Sequence, residues 1–174
     1  MTLTQPNTGL AWTTGSHACS FPPLRITISK NLFLENRLLR VQIGEIPVTL
    51  TNRNVPEWFN EITADIIEFL KLPANWDQEG APEIDNSVAI KAICVLNDLI
   101  NKNTARPYTF PTPHGGIQFE WHLEEHDLEL RFLPDRLLLL YTDPDEVDYE
   151  MHYDYEDYKY LLDDIAKYVK HINN

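Results

Sequence analysis

GGIQFEWHLEEHDLELRF, residues 115–132, is the stretch from which the fold can be read. Ile117, Phe119, Trp121 and Leu123 alternate with Gln118, Glu120 and His122, the period of a strand with one buried face. Leu128, Leu130 and Phe132 repeat the alternation, so the chain turns back on itself. Glu124-Glu125-His126-Asp127 lacks the Gly or Asn that two-residue turns favour, which predicts a four-residue loop. In that register Leu123 faces Leu128, Trp121 faces Leu130, and Glu120 stands opposite Arg131 as an opposite-charge cross-strand pair.

Downstream, Arg136 to Tyr141 reads as a nearly continuous apolar strand buried on both faces. Val147, Tyr149, Met151 and Tyr153 then alternate once more. Asp154 and Asp157 open a last helix with Tyr158, Leu161, Leu162, Ile165, Val169 and Ile172 inward. Upstream, residues 107–113 connect to a helix capped within Asp85 to Ser87, whose Val88, Ala92, Val95, Leu96 and Leu99 recur at helical spacing to about Asn103. An earlier helix starts near Asn54 and Pro56 and carries Trp58, Phe59, Ile62, Ile66, Phe69 and Leu70 as its apolar stripe. Before it, Leu24 to Ile28, Leu38 to Ile43 and Ile46 to Leu50 alternate as a small meander turning at Gly44. Residues 1–23 are rich in Thr, Ser, Gly and Pro without periodicity and read as a poorly ordered arm. The fold class is therefore α+β: an antiparallel sheet, made of the N-terminal meander plus C-terminal strands, packed with three helices. At 174 residues, residues 24–174 fit one domain.

Charge is unevenly placed. Residues 1–119 hold 11 acids and 9 bases, whereas residues 120–164 hold 16 acids and 3 bases, so the whole net charge of −13 resides in the second stretch. That sign repels phosphate backbones and anionic headgroups, which excludes direct nucleic-acid and membrane binding and favours a basic protein partner. Cys19 and Cys94 match no metal-binding spacing and read as reduced thiols. The N-terminus has neither a basic n-region nor an unbroken apolar run, so the expected location is cytoplasmic.

Trp76-Asp77-Gln78-Glu79-Gly80-Ala81-Pro82, then a helix, then Pro111-Thr112-Pro113-His114-Gly115-Gly116-Ile117-Gln118-Phe119-Glu120-Trp121, resembles a family of small bacterial proteins. These carry a WDGxGAxP loop followed by a PxPxGGIxxEW strand. The resemblance spans about residues 68–140 and implies a bacterial-type origin without a particular mechanism. Gln78 stands where the pattern has Gly, a departure that bears on any tight turn there. Read physically, Trp76 is a hydrophobic plug with its indole N–H hydrogen-bonded, Asp77 caps backbone amides, and Gly80 supplies a conformation other residues resist.

Enzymatic signals are weak. His122-Leu123-Glu124-Glu125-His126 matches the HxxEH pattern of inverted zinc peptidases, but that motif needs a helix, where residues four apart share a face. A candidate ligand loop gathers Trp76, Asp77, Glu79, His114, Glu120 and His122 if the loop folds over the strand's outer face. Carboxylates and imidazoles suit a divalent metal or an acid–base pair, the basis of a metal-assisted hydrolase reading. The bland reading, exposed strand residues paired across the sheet, outweighs it. Six glycines make no phosphate-binding or nucleophile-elbow motif, and the 143–148 run lacks the glycine of a calcium loop. No cofactor, metal or catalytic residue is expected.

The remaining signal is the acidic, tyrosine-rich segment. Asp143, Asp145, Glu146, Asp148, Glu150, Asp154, Tyr155, Glu156, Asp157 and Tyr160 form the expected partner-binding set, since carboxylates speed encounter with basic surfaces and tyrosine supplies rigid contact area. The reading is an acidic cytosolic binding or inhibitory protein of antitoxin, immunity or anti-defence type, imitating nucleic-acid charge. The alternative is a structural or accessory subunit of a larger assembly. A homo-oligomer is compatible with both.

Overall fold

The computed structural model describes residues 39–50, 54–123, 126–142, 148–155 and 158–169. Expectations for residues 1–38, including the arm and the Leu24 to Ile28 strand, fall outside these. In chain order the elements are β1 (Leu39–Ile43), β2 (Ile46–Leu50), α1 (Phe59–Phe69), α2 (Asn86–Leu99), β3 (Tyr108–Thr112), β4 (Gly116–Leu123), β5 (His126–Phe132), β6 (Arg136–Thr142), β7 (Asp148–Asp154) and α3 (Tyr158–Val169). The class is α+β, with three helices among the described residues. The strands form two sheets: β1 and β2 pair as a separate hairpin, and β3 to β7 form a five-stranded antiparallel meander in sequential order.

Alternation dictates the meander's inner face. Ile117, Phe119, Leu130, Phe132, Leu137 and Leu139 are fully buried there, with Trp121 and Leu128 nearly so. α2 is the element the rest is built around. Its residues Val88, Ala89, Ala92, Ile93, Cys94, Val95, Leu96 and Asn97 are all buried, so it is enclosed on nearly every side. It lies between the large sheet, which it meets at β4 and β5, and the β1–β2 hairpin, while α1 and α3 flank it. Helical spacing announces this arrangement only in part, because a helix buried all round lacks a polar face.

The helix boundaries are tighter than the sequence suggests. α1 begins at Phe59 rather than beside Pro56, whose carbonyl accepts from the Phe59 N–H (3.2 Å) in a preceding turn. α2 is capped by Asp85, whose Oδ1 accepts from the Ser87 N–H at 2.7 Å. It ends four residues before Asn103, where Ile100 turns extended. Lys91 ties α2 to the far end of the sheet: its ammonium donates to the Pro134 carbonyl (3.3 Å) and sits 3.7 Å over the Tyr155 ring.

Other expectations need correction. The N-terminal hairpin is a sheet of its own rather than part of one sheet with the C-terminal strands, and Asp154, expected to open the last helix, is the final residue of β7. The β4–β5 register places Leu123 opposite His126, Trp121 opposite Leu128, Phe119 opposite Leu130 and Glu120 opposite Glu129. That is two residues tighter than a four-residue loop gives, so every side chain keeps its face while each partner changes. The observed register exchanges the expected Leu123–Leu128 pair for Ile117 opposite Phe132 and lets His122 meet Asp127. The segment after Pro107, expected as a connection, is strand β3. Pro111 obscures it, yet an edge position accepts a proline because one side of the strand needs no ladder bond.

Candidate functional site

The loop from Asn75 to Ala81 is held closed by its own polar groups. Asp77 Oδ1 accepts from the backbone N–H of Glu79 (2.9 Å) and Ala81 (3.0 Å), and Asn75 Oδ1 accepts from Gly80 N–H (2.8 Å). The Asn75 N–H donates to the Ala81 carbonyl at 2.6 Å. Those amides, Ala81 first, hold the Asp77 carboxyl below the usual carboxylate range. Gln78 adopts φ +66° where the resembled pattern has glycine, so the tight turn forms despite its side chain. The Trp76 indole N–H is buried but has no hydrogen-bond partner among the described residues, contrary to the expected plug. Trp58 and Trp121 do bond, to the Thr104 (3.0 Å) and Ala105 (2.8 Å) carbonyls.

The candidate ligand set divides into two places. Gly115, next to His114 in the β3–β4 turn, abuts Pro82 and Glu83 at the end of the loop. Glu120 and His122 lie toward the other end of β4; six residues of strand separate Gly116 from His122, roughly 20 Å. Asp77 is engaged with backbone amides, and among the described residues no three His, Cys, Asp or Glu side chains are grouped to hold a metal.

What β4 does carry is a polar chain across the sheet's outer face. His122 Nδ1 meets Asp127 Oδ1 at 2.9 Å and Nε2 meets Glu120 Oε2 at 3.2 Å. Gln118 donates to Glu120 Oε1 and accepts from Arg131 Nε (2.9 Å), and Arg131 pairs with Glu129 at 2.5 Å. The Asp127 contact raises the His122 imidazole above its ordinary value, opposed by burial and helped by Glu120. Burial pushes the Glu129 carboxyl up, opposed by Arg131 and reinforced by Glu120.

Register extends this face to β7. Glu120, Glu129, Leu140 and Glu150 stand in one cross-strand row; His122, Asp127, Thr142 and Asp148 stand in another. Asp154 stands opposite Arg136. Of the expected partner-binding residues, Asp148, Glu150 and Asp154 thus share the outer face of an edge strand and are exposed. Tyr160 is exposed on α3. Tyr155 is committed elsewhere: its hydroxyl donates to the Leu133 carbonyl at 2.6 Å, and burial pushes its phenol far up. Tyr149, which alternates with Met151 and Tyr153 on the inner face, is 43% exposed on the last strand of the sheet. Asp143, Asp145, Glu146, Glu156 and Asp157 lie outside the described residues.

A second feature escaped sequence reasoning. Tyr108 and Phe110, alternate residues of β3, turn outward rather than into the core and are 62% and 45% exposed. Their rings are parallel within 6°, centroids 6.5 Å apart, and Tyr108 is 5.7 Å from the His122 ring. Beside them a cleft of 570 Å³ opens between β3 and α1, lined among others by Ile62, Asp65, Arg106, Trp121 and His122. The Gly115-Gly116 pair following Tyr-x-Phe-x-Thr was the available signal for this strand. Comparison with protein-family models, with curated proteins and with solved structures finds no match to this chain.

Proposed function

We propose that this chain is an acidic binding or inhibitory protein, of the antitoxin, immunity or anti-defence kind, that recognises a basic protein partner through the outer face and β7 edge of its five-stranded sheet. The observation that carries the reading is the placement of Glu120 directly opposite Glu129, with Glu150 in the same row. Like charges directly opposite across a sheet are destabilising. Burial compounds that cost at Glu129, and a neutral pair would serve the fold better. On the same face Asp127, Asp148 and Asp154 bring the carboxylates to six, against the guanidinium groups of Arg131 and Arg136.

A surface of this sign accelerates encounter with a cationic partner and repels nucleic acid, while presenting charge of the sign a nucleic-acid backbone carries. The bonds that fix these side chains run largely among themselves, so the face is preorganised and its ordering cost is reduced before binding. The test is to recover the partner with the tagged chain and titrate the purified pair calorimetrically at rising ionic strength. Affinity should fall steeply with salt and fall again in an Asp148→Lys/Glu150→Lys variant. Binding indifferent to both salt and charge reversal would refute the proposal.

A further inference from the structure

We infer that the Tyr108–Phe110 edge of β3 and its adjoining cleft form an anchoring site for an arginine-bearing extended segment of the basic partner. This rests on the reading that the partner is basic, and adds where its side chain is gripped. The first ground is exposure. Two large aromatic rings lie side by side, both facing outward, on a strand only five residues long. A solitary exposed aromatic is ordinary, whereas a parallel pair beside a cleft is the surface an amphipathic or planar cation covers.

The second ground is charge. Glu120 is the direct cross-strand partner of Tyr108 and Gln118 that of Phe110, so a carboxylate-bearing residue shares the face and the row of the Tyr108 ring. Asp65 lines the cleft from α1, Glu61 pairs with the cleft's Arg106, and Asp127 contacts His122. Against these four carboxylates stands the Arg106 guanidinium, held by Glu61 at 2.5 Å and Asp65 at 3.9 Å, together with the titratable His122 imidazole. A residual negative charge therefore surrounds the rings.

A guanidinium group fits this pairing better than an ammonium. It is planar, stacks on an aromatic face, is weakly hydrated, and can present its N–H edge to a carboxylate while its plane covers a ring. The cleft beside the pair has room for the aliphatic stem, whose methylenes would lie against the exposed Tyr108 and Phe110 rings that line it. The remaining chain of the partner would continue across the outer face toward Glu129 and Glu150, joining the anchor to the acidic row.

The experiment uses the full chain and three short blocked peptides of alternating glycine with arginine, lysine or citrulline, followed by calorimetry and by amide shifts in nuclear magnetic resonance. The arginine peptide should bind saturably and shift Tyr108, Phe110 and Glu120; the lysine peptide should bind more weakly, and the neutral citrulline peptide should not bind. A Tyr108→Ala/Phe110→Ala variant, checked for an unchanged thermal transition, should weaken the arginine peptide by about tenfold. Glu120→Gln should weaken it severalfold while leaving the rings in place. Equal binding of citrulline, no effect of the double variant, or Tyr108 and Phe110 already covered by residues before 39 or by a second copy would each overturn the inference. Should the double variant bind the peptide normally while Glu150→Lys still weakens the whole partner, the anchor fails and the acidic-face reading stands. Should salt and Glu150→Lys leave the whole partner unaffected, that reading fails regardless of the peptide.

Discussion

Substituting Gly80 by alanine, with Gln78→Gly as its counterpart, tests whether the Trp76 to Ala81 loop is architecture. Gly80 has φ +101°, and a Cβ built there meets nothing within 4 Å, so any cost is backbone strain alone. Holding a non-glycine residue in such a region costs about 1–3 kcal/mol, against which the loss of unfolded-state freedom returns about 0.4–1 kcal/mol. The expected net loss is about 1–2 kcal/mol, or a fall of roughly 3–6 °C in the melting temperature of a chain this size. Gln78 sits at φ +66° and already bears left-handed strain. Removing its Cβ relieves about 1–2 kcal/mol and forfeits about 0.5–1 kcal/mol of glycine entropy, leaving a gain of about 0.5 kcal/mol. Calorimetric melts of the two variants should thus move in opposite directions, with Gln78→Ala close to wild type because its Cβ is retained. A neutral Gly80→Ala together with a destabilised Gln78→Gly would refute the strain argument, and with it the view that the loop's polar groups exist to hold that turn.

Gly116→Ala should be destabilising for another reason: its Cβ would press on the Phe132 carbonyl oxygen and lie 2.7 Å from Thr112 Oγ1, so urea unfolding should show a loss of about 1–3 kcal/mol. Phe119→Ala removes a fully buried ring between Trp121 and Phe132 and should cost about 3–5 kcal/mol by the same measurement. Asp85→Ala deletes the α2 cap and should cost about 1 kcal/mol, with Asp85→Ser retaining most of it. The His122 imidazole titrates above its ordinary value, so its contribution is fully present below pH 6.5 and is lost as pH rises through the folded value. His122→Gln should therefore narrow the stability difference between pH 6 and pH 9 by about 0.5 kcal/mol or less, since more than half of that side chain is exposed.

The sequence made the inner face of the meander legible because burial on one side imposes a period of two that nothing else in Ile117 to Phe132 contradicts. It left the register ambiguous by two residues, a shift that preserves every inward and outward assignment and so leaves no trace in the hydrophobic pattern. Turn preference favoured the longer loop, and the count of apolar cross-strand pairs is three in either register, so neither alternation nor pair count selects the shorter one that forms. β3 was hidden by Pro111, whose meaning depends on whether a strand is central or at an edge, which only the tertiary structure decides. Asp85 was readable as a cap, and so in principle was the length of strand between Gly116 and His122; which end of that strand the Asn75 to Ala81 loop approaches was not, because that contact is tertiary.

The same register that confounded the sequence reading bears on function. Under the longer loop Glu120 would have faced Arg131 as an opposite-charge pair; the face would have held the same groups and the same net charge, paired differently. The observed pairing puts Glu120 against Glu129 and routes Arg131 diagonally, through Gln118 to Glu120 and directly to Glu129. Arg131 thereby pairs with Glu129 and reaches Glu120 only through Gln118, and the row continues to Glu150, whose carboxylate meets His152 Nε2 at 2.6 Å. A catalytic centre would require such groups to converge on a point, as the oxygens and nitrogens of a metal site must. Here they are spread along one sheet face at strand spacing and fixed by neighbours, an arrangement suited to meeting an extended surface of opposite charge. The exposed Tyr108–Phe110 pair at one edge and the acidic β7 at the other then delimit a surface whose apolar grip and electrostatic attraction can be removed separately by substitution.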